Sequence, residues 1–284
     1  MNIEASSYNE WIGRSQSSTD FLTLAPLKGL AATLDKTKVD FSPGDKLPSL
    51  WHWLYFLDPA KQSNLANDGH AERGNFLPPI PLPGRMWGGS RFEFHKPLHA
   101  GEEIQRKSTI KSIAIKEGRS GQLAFVTVCH EIGKKGEIAI SEEHDIVYRN
   151  HAKPNKIAPS GNIAPTESDY AKTIIPDSIL LFRYSALTFN GHRIHYDREY
   201  VTNEEGYPGL LVHGPLLATL IADLVSEQFP GKNLTRFEFK AMNPVFDLNS
   251  FHVCGINPNQ NGQLELWIKD HADVLCMKAS ATLA

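Results

Sequence analysis

Arg91-Phe92-Glu93-Phe94 and Arg236-Phe237-Glu238-Phe239 are one tetrapeptide written twice, 145 positions apart. Downstream of each, Gly121-Gln122-Leu123 and Gly262-Gln263-Leu264 repeat again, 141 positions apart. The surroundings of the two copies repeat in kind. After the first come residues 104–115, 122–132 and 137–148, rich in β-branched side chains. The segments Glu117-Gly118 through Gly121 and Gly133 through Gly136 separate them and read as hairpin turns. Around the second lie 234–241, 250–256, 263–270 and 273–282, with Asn257-Pro258-Asn259 through Gly262 as a turn. Ahead of this second set, Pro215–Phe229 carries Leu216, Leu217, Leu220, Ile221, Leu224 and Val225 at helical spacing, opened by Pro215 and stopped by Pro230. Pro48–Leu57 (PSLWHWLYFL) stands in the matching place of the first half and predicts a second buried helix, with Trp51 and Trp53 in the core. The pattern predicts two like units, each a sheet wrapped round one apolar helix, in the α+β class.

Residues 151–175 (HAKPNKIAPSGNIAPTESDYAKTII) are rich in Pro, Ser and Asn and read as a linker between a unit spanning 1–150 and a unit spanning 176–284. The halves differ in one respect. Between the first helix candidate and RFEF lies a long segment, 58–90, ending in LPPIPLPGRMWGG. Loops of that length are usually functional or disordered, and Trp87 with the dense prolines predicts an ordered loop that shapes a pocket.

The chain has 284 residues, enough to bury a core without disulfides. Lys plus Arg is 29 against 32 Asp plus Glu, a formal charge of −3, which argues against nucleic acid as a partner. No apolar run approaches the roughly 20 residues that cross a bilayer. Cys129, Cys254 and Cys276 are odd in number and lack a CxxC pairing, so a disulfide framework or zinc ribbon is not expected and a reducing cytoplasm fits. The first twenty residues have the marks of neither a secretory signal nor a transit peptide.

The densest polar cluster runs from Tyr184 to Asp197 (YSALTFNGHRIHYD) and continues in Gly206–Pro215 (GYPGLLVHGP). Gly214 opens the apolar helix, whose first N–H groups lack internal partners and whose dipole favours negative charge. An oxygen gaining charge could be held there. His195 supplies a group that carries protons near neutrality, and Asn190, five positions earlier, supplies a hydrogen-bonding amide or merely caps a turn. His213 either braces the loop before the helix or meets substrate. His192 and His195 lack a third ligand of suitable spacing, so no metal is expected.

Residues 182–220 resemble the hydratase motif of MaoC-like (R)-specific enoyl-CoA hydratases, and FRYSALTFNGHRIHYD with YPGLLVHGP resembles a narrower branch of them. That branch holds the yeast-type 3-hydroxyacyl-thioester dehydratases and the bacterial mesaconyl-C4-CoA and itaconyl-CoA hydratases; LPPIPLPGRMWGGSRFEF is characteristic of it too. The resemblance covers the whole chain and implies a double hotdog, with a degenerate N-terminal unit shaping the pocket and a C-terminal unit carrying the motif. It also implies that His195 and Gly214 match the family's catalytic His and carbonyl-binding Gly. Asn190 stands where the family has Asp, and His192-Arg193 replaces Asn-Pro; an amide cannot accept a proton as a carboxylate does.

The implied reaction is hydration of an α,β-unsaturated acyl-CoA, with Asn190 and His195 holding the water and the Gly214 N–H polarising the thioester. Coenzyme A arrives with the substrate and no other cofactor is implied. Arg85, Arg183, Arg193 and Arg198 are candidates to pair with a second carboxylate on a short C5 acyl group, with Trp87, Tyr184 and His213 as further substrate contacts. The alternatives are a 3-hydroxyacyl-thioester (ACP or CoA) dehydratase of fatty-acid metabolism, a hotdog thioesterase and a non-catalytic acyl-CoA-binding protein. Sheet edges in such folds predict a homodimer.

Overall fold

The structure, a computed structural model, describes residues 3–71, 75–118, 121–150 and 162–284. The first half contributes five strands: β1 (Ser15–Phe21), β2 (Gly84–Phe94), β3 (Glu103–Gly118), β4 (Gly121–Gly133) and β5 (Ile140–Arg149). The second contributes β6 (Tyr170–Ile174), β7 (Leu234–Ala241), β8 (Phe251–Gly255), β9 (Gln263–Lys269) and β10 (Leu275–Leu283). All ten lie in one antiparallel sheet, in the order β1-β3-β4-β5-β2-β7-β10-β9-β8-β6.

The two RFEF copies explain the centre of that sheet, because they pair with each other. In the β2–β7 register Arg91 lies opposite Glu238, Phe92 opposite Phe237 and Glu93 opposite Arg236. Antiparallel pairing of the same alternating tetrapeptide therefore sets an Arg against a Glu twice and stacks apolar rings between them. The Phe92 and Phe237 rings lie 6.1 Å apart, and Arg236 reaches Glu93 at 3.0 Å. The same alternation sends Phe92, Phe237 and Phe239 into the core.

Among the described residues four α-helices accompany the sheet: α1 (Leu24–Thr33), α2 (Ser178–Leu187), α3 (Arg198–Asn203) and α4 (Gly214–Gln228). Helix α4 is the predicted apolar helix, and Leu216 through Val225 are all buried in it. It packs against β8 and β9, inside the C-terminal half of the sheet.

The counterpart expected at Pro48–Leu57 is different: only Trp51–Leu54 form a helical turn, of the 3-10 type. Left-handed backbone at Leu50 (φ 68°) and Phe56 (φ 56°) bounds it on both sides. The aromatic run serves tertiary contacts instead of a helix face. Trp51 is buried and its Nε1 donates to Asp223 of α4 (3.2 Å), while Trp53, half-buried, donates to Glu142 of β5 (3.4 Å). The helix of this half is α1, which packs on α2 through a face that includes the buried Leu27, Leu30 and Ala31. The interior that a second long helix would fill is left open. The stretch read as a linker also ends early, because Tyr170–Ile174 alternates inward and outward and pairs with β8; residues 151–161 lie outside the described residues. No helix among the described residues is long and apolar enough to cross a membrane.

The β2–β7 seam is also sterically tight. A Cβ at Gly89, opposite Lys240, would overlap the carbonyl oxygen of Phe239. Gly89→Val is expected to lower stability by at least about 1–3 kcal/mol, the ordinary cost of overpacking. A chemical denaturation curve checks this, and an unchanged midpoint would contradict the seam's tightness.

Candidate active site

The polar cluster read from the sequence begins where α2 ends. Thr188 is the C-cap and Phe189 takes left-handed backbone (φ 50°), a conformation that bulky residues adopt only at a cost. The result is a Schellman-type ending: the Asn190 N–H donates to Ser185 O (2.8 Å) and Phe189 N–H to Ala186 O (3.4 Å). This turn throws Asn190 toward the cavity. Its Oδ1 accepts from the His192 N–H (3.0 Å), so the side-chain carbonyl is committed and the amide NH2 is what remains for a ligand.

A 3-10 turn at Arg193–His195 follows, and His195 is buried within it. Its Nδ1 lies 2.8 Å from the carbonyl oxygen of Leu211. A carbonyl can only accept, so Nδ1 carries the proton and Nε2 the lone pair. The ring stacks on that of His213, 3.7 Å between centroids and 18° from parallel. His213 is fully buried, bonds Ser185 Oγ through Nε2 (2.8 Å) and is the N-cap residue of α4. His195 therefore lies at the mouth of the helix that Gly214 opens.

No side chain caps that helix. At Gly214 a Cβ would meet no atom within 4 Å, and its φ is not in the left-handed range. Packing and backbone conformation both leave room for a side chain here, so the fold itself does not require a glycine.

Asn190, His195 and Gly214 line one cavity of about 780 Å³ that continues into the open interior of the N-terminal half. Its floor there is polar. Glu142 is buried and accepts from Trp53 Nε1 (3.4 Å) and Ser90 Oγ (3.2 Å), with His52 Nε2 at 3.4 Å. His130 meets Ser108 Oγ (2.7 Å), and His144 stacks under Trp87 at 3.9 Å. Arg106 lies in the same wall, its Nε buried without a hydrogen bond.

The segment ahead of β2 also lines the cavity, through Asp68, His70, Leu77 and Pro83, and the sequence reading singled out none of these; the long segment read as a loop to residue 90 gives way to strand at Gly84. Both carboxylate oxygens of Asp68 are taken by His70: Oδ1 accepts its backbone N–H (2.9 Å) and Oδ2 lies 3.0 Å from Nδ1. The His70 ring lies 4.1 Å from that of His192, which meets His195 edge-on at 5.5 Å. The loop is sewn to the motif by the Arg193 N–H donating to Asp68 O (2.9 Å) and by Arg193 Nη1 donating to Asn67 O (3.1 Å). The ligand-type atoms of Asp68, His70 and His192 lie within 4.8 Å of one another. The spacing of the sequence did not show that His192 has two such neighbours; Asp68 and His70 are hydrogen-bonded directly to each other beside its ring.

The remaining predicted contacts divide. Arg85, Trp87 and Tyr184 line the cavity, whereas His213, fully buried against the His195 ring, does not. Arg193 does not: it is held by Asp197 four residues on (2.8 Å) and lies over the Tyr200 ring. Arg183 is on the exposed face of α2 and outside the cavity lining. Arg198 is paired with Asp247. Charge near a motif did not show which arginine already had a partner. The clue to Asp68 and His70 was the Asp-Gly-His tripeptide inside the loop already expected to shape the pocket.

A family model for hydroxyacyl-thioester dehydratase type 2 matches residues 50–247. The mesaconyl-C(4)-CoA hydratase of Chloroflexus aurantiacus is 45% identical over 251 residues, covering 88% of this chain and 89% of that one. The chain belongs to the hydroxyacyl-thioester dehydratase type 2 family. It is a hydro-lyase, an enzyme that adds or removes water. Among solved structures, a MaoC-like dehydratase from Phytophthora capsici superposes with a TM-score of 0.71 at 12% identity, covering 99% of both chains. A Mycobacterium tuberculosis protein described as a double hotdog superposes at 0.57 and 13% identity, covering 96% of both. The fold is accordingly an α+β double hotdog.

Burial sets the charge state of this site. Desolvation lowers the pKa of His195 and His130 to about 4 and that of His144 to about 3, and holds His213 well below the usual histidine range. These rings are neutral in the folded chain at pH 7 but protonate near 6.5 when unfolded. Their contribution to stability is therefore lost as pH falls from about 6.5 toward 4 and 3. Buried Glu142 is held low, at about 2, by the histidines facing it although burial opposes this. Its contribution is lost in the same direction, below about 4.5. The melting temperature at pH 5 is expected to lie at least about 5 °C below that at pH 7.5. Calorimetry at the two values checks it, and a flat profile would show the rings to be solvated.

Proposed function

We propose that the chain hydrates a short α,β-unsaturated acyl-CoA that carries a second carboxylate, of the mesaconyl-C4-CoA or itaconyl-CoA kind. The observation that carries this reading is the pairing at one helix mouth of a His195 whose Nε2 bears the lone pair with a Gly214 whose missing side chain the fold does not need. A thioester oxygen fits against the Gly214 N–H, where donors and dipole favour developing negative charge. The Asn190 amide and His195 Nε2 then hold a water at C3, and Nε2 takes its proton as the oxygen attacks. Being neutral at pH 7 because of burial, His195 is ready to act as the base. Coenzyme A is part of the substrate, and no further cofactor enters.

The second carboxylate is assigned to Arg85. In a mesaconyl-C4 acyl group that carboxylate sits on the carbon that receives the hydroxyl, close to whatever holds the water. Arg85 lines the cavity, its charge bears on His192 and His144, and it forms no ion pair among the described residues. The 45% identity to a mesaconyl-C(4)-CoA hydratase supports the same acyl class. The reach of the cavity into the N-terminal half favours a second reading, dehydration of a longer 3-hydroxyacyl thioester. We place the enzyme in the cytoplasm, a reading supported by three free cysteines, and infer a homodimer formed through exposed sheet edges.

A panel of crotonyl-CoA, mesaconyl-C4-CoA, itaconyl-CoA and long-chain enoyl-CoAs, followed by loss of enoyl absorbance and by product mass, tests the assignment. Turnover of the C5 dicarboxylic substrates well above crotonyl-CoA is expected; preference for long chains would select the second reading, and release of free CoA thiol would select a thioesterase. His195→Ala is expected to lower kcat/KM by roughly 10²–10⁴-fold with the fold intact; activity within tenfold of wild type would remove it from this role.

Gly214→Ala adds a methyl that touches no protein atom, so the melting temperature should hold. Turnover should fall by roughly 10²-fold or more as the thioester oxygen is displaced. Full activity would exclude the proposed oxyanion site. Arg85→Gln should cost the dicarboxylic substrates at least tenfold more than crotonyl-CoA, and an equal loss on both would count against carboxylate pairing.

A further inference from the structure

Hydration needs two proton movements: one leaves water at C3 and one arrives at C2. The motif of this chain supplies a single proton-exchanging side chain for both, because residue 190 is an amide. The structural duty of Asn190, accepting from the His192 N–H through Oδ1, is one that an Asp carboxylate would perform equally well. Loop geometry therefore does not demand Asn. A carboxylate does reach the site from elsewhere: Asp68 lines the same cavity, held through the loop that Arg193 fastens to the motif. It grips His70, and His70 contacts the His192 ring that faces His195.

The geometry points to His70 as a second catalytic proton-transfer group, positioned by Asp68, so that the carboxylate missing at residue 190 has been moved to the inserted loop. Asp68 accepts only, so His70 Nδ1 carries a proton toward it and Nε2 is the atom that exchanges. In the hydration direction an O–H bond of water breaks as its oxygen bonds C3, and His195 Nε2 takes that proton. The C2=C3 electron pair moves toward the thioester, whose oxygen becomes an enolate oxygen held by the Gly214 N–H. As the carbonyl re-forms, C2 takes a proton from Nε2 of His70, which enters the step as the imidazolium paired with Asp68 and leaves it as the neutral Nδ1–H imidazole. The proton on His195 then returns to His70 across the adjoining His192 ring and cavity water, which restores the starting state.

This inference rests on the hydratase reading, which turnover by the wild-type enzyme in the substrate panel tests separately. The variants are then His70→Gln and Asp68→Asn, each alone and combined with Asn190→Asp. With wild-type turnover established, His70→Gln is expected to lower kcat by roughly 10²-fold or more while KM moves less than about threefold. Asp68→Asn is expected to lower kcat less, and adding Asn190→Asp should restore at least about tenfold of the loss in both backgrounds. Restoration separates proton transfer from damage to the loop, since a misfolded loop would not be mended by a carboxylate at residue 190. Three results would overturn the proposal: kcat of His70→Gln within threefold of wild type, losses confined to KM, or no rescue by Asn190→Asp. A stoichiometric metal ion in the native mass spectrum, removed by His70→Gln, would do so as well.

Discussion

The hydrogen bond between His195 Nδ1 and the carbonyl of Leu211 is the constraint on which the rest of the site depends. It joins the polar turn after α2 to the segment that enters α4, and so fixes ring, tautomer and helix mouth together. Leu211 is itself held from two sides: its N–H donates to Ile194 O (3.0 Å), and it bridges to Phe246. The stacking of His195 on His213 then leaves one ring fully buried behind the other. A buried ring pair of this kind could not bear charge on both members, and desolvation keeps both neutral.

The asymmetry between the two halves gives the enzyme its cavity. In the C-terminal half α4 fills the space inside the sheet with ten consecutive buried residues. In the N-terminal half a 3-10 turn stands in the matching place, and the strand faces it fails to cover carry Arg106, His130, Glu142 and His144. A filled hotdog would have no use for such a floor, because buried charge is costly without partners. Here the floor is satisfied from above: Trp53, Ser90 and His52 converge on Glu142. The one half is a scaffold that aims a helix terminus, and the other is the container into which it points.

Much of this was legible in the chain because it was written in short-range signals. The strands of both halves showed through β-branched runs and glycine turns, and α4 through its spacing and flanking prolines. Pro48–Leu57 misled because an apolar aromatic run looks the same whether it is a helix face or a set of separate anchors. Only the partners Asp223 and Glu142, distant in sequence, decide that Trp51 and Trp53 are anchors. Helix α1 was missed for the complementary reason, since its buried face is defined by α2 and by little in its own sequence. At the site, His195, Asn190 and Gly214 line one cavity. The arginines sorted otherwise, because a guanidinium four residues before an Asp on a turn is spent on that Asp.

The inserted loop is part of the motif's own architecture, and this bears on how substrate enters. Gly69 has φ 88°, and a Cβ there would overlap the carbonyl oxygen of Gly191. Two backbones are thus pressed together without side chains between them, one from the loop and one from the motif. Arg193 adds a backbone and a side-chain hydrogen bond across the same contact. A lid that opened at this point would have to break the bonds that hold Asp68, and with them the alignment of His70 with His192. Substrate entry that spares this contact leaves residues 66–70 docked on the motif. Arg85, Trp87 and Arg149 also line the cavity, the last donating to Tyr207 (2.7 Å). Two arginines that form no ion pair among the described residues give that part of the cavity a positive potential.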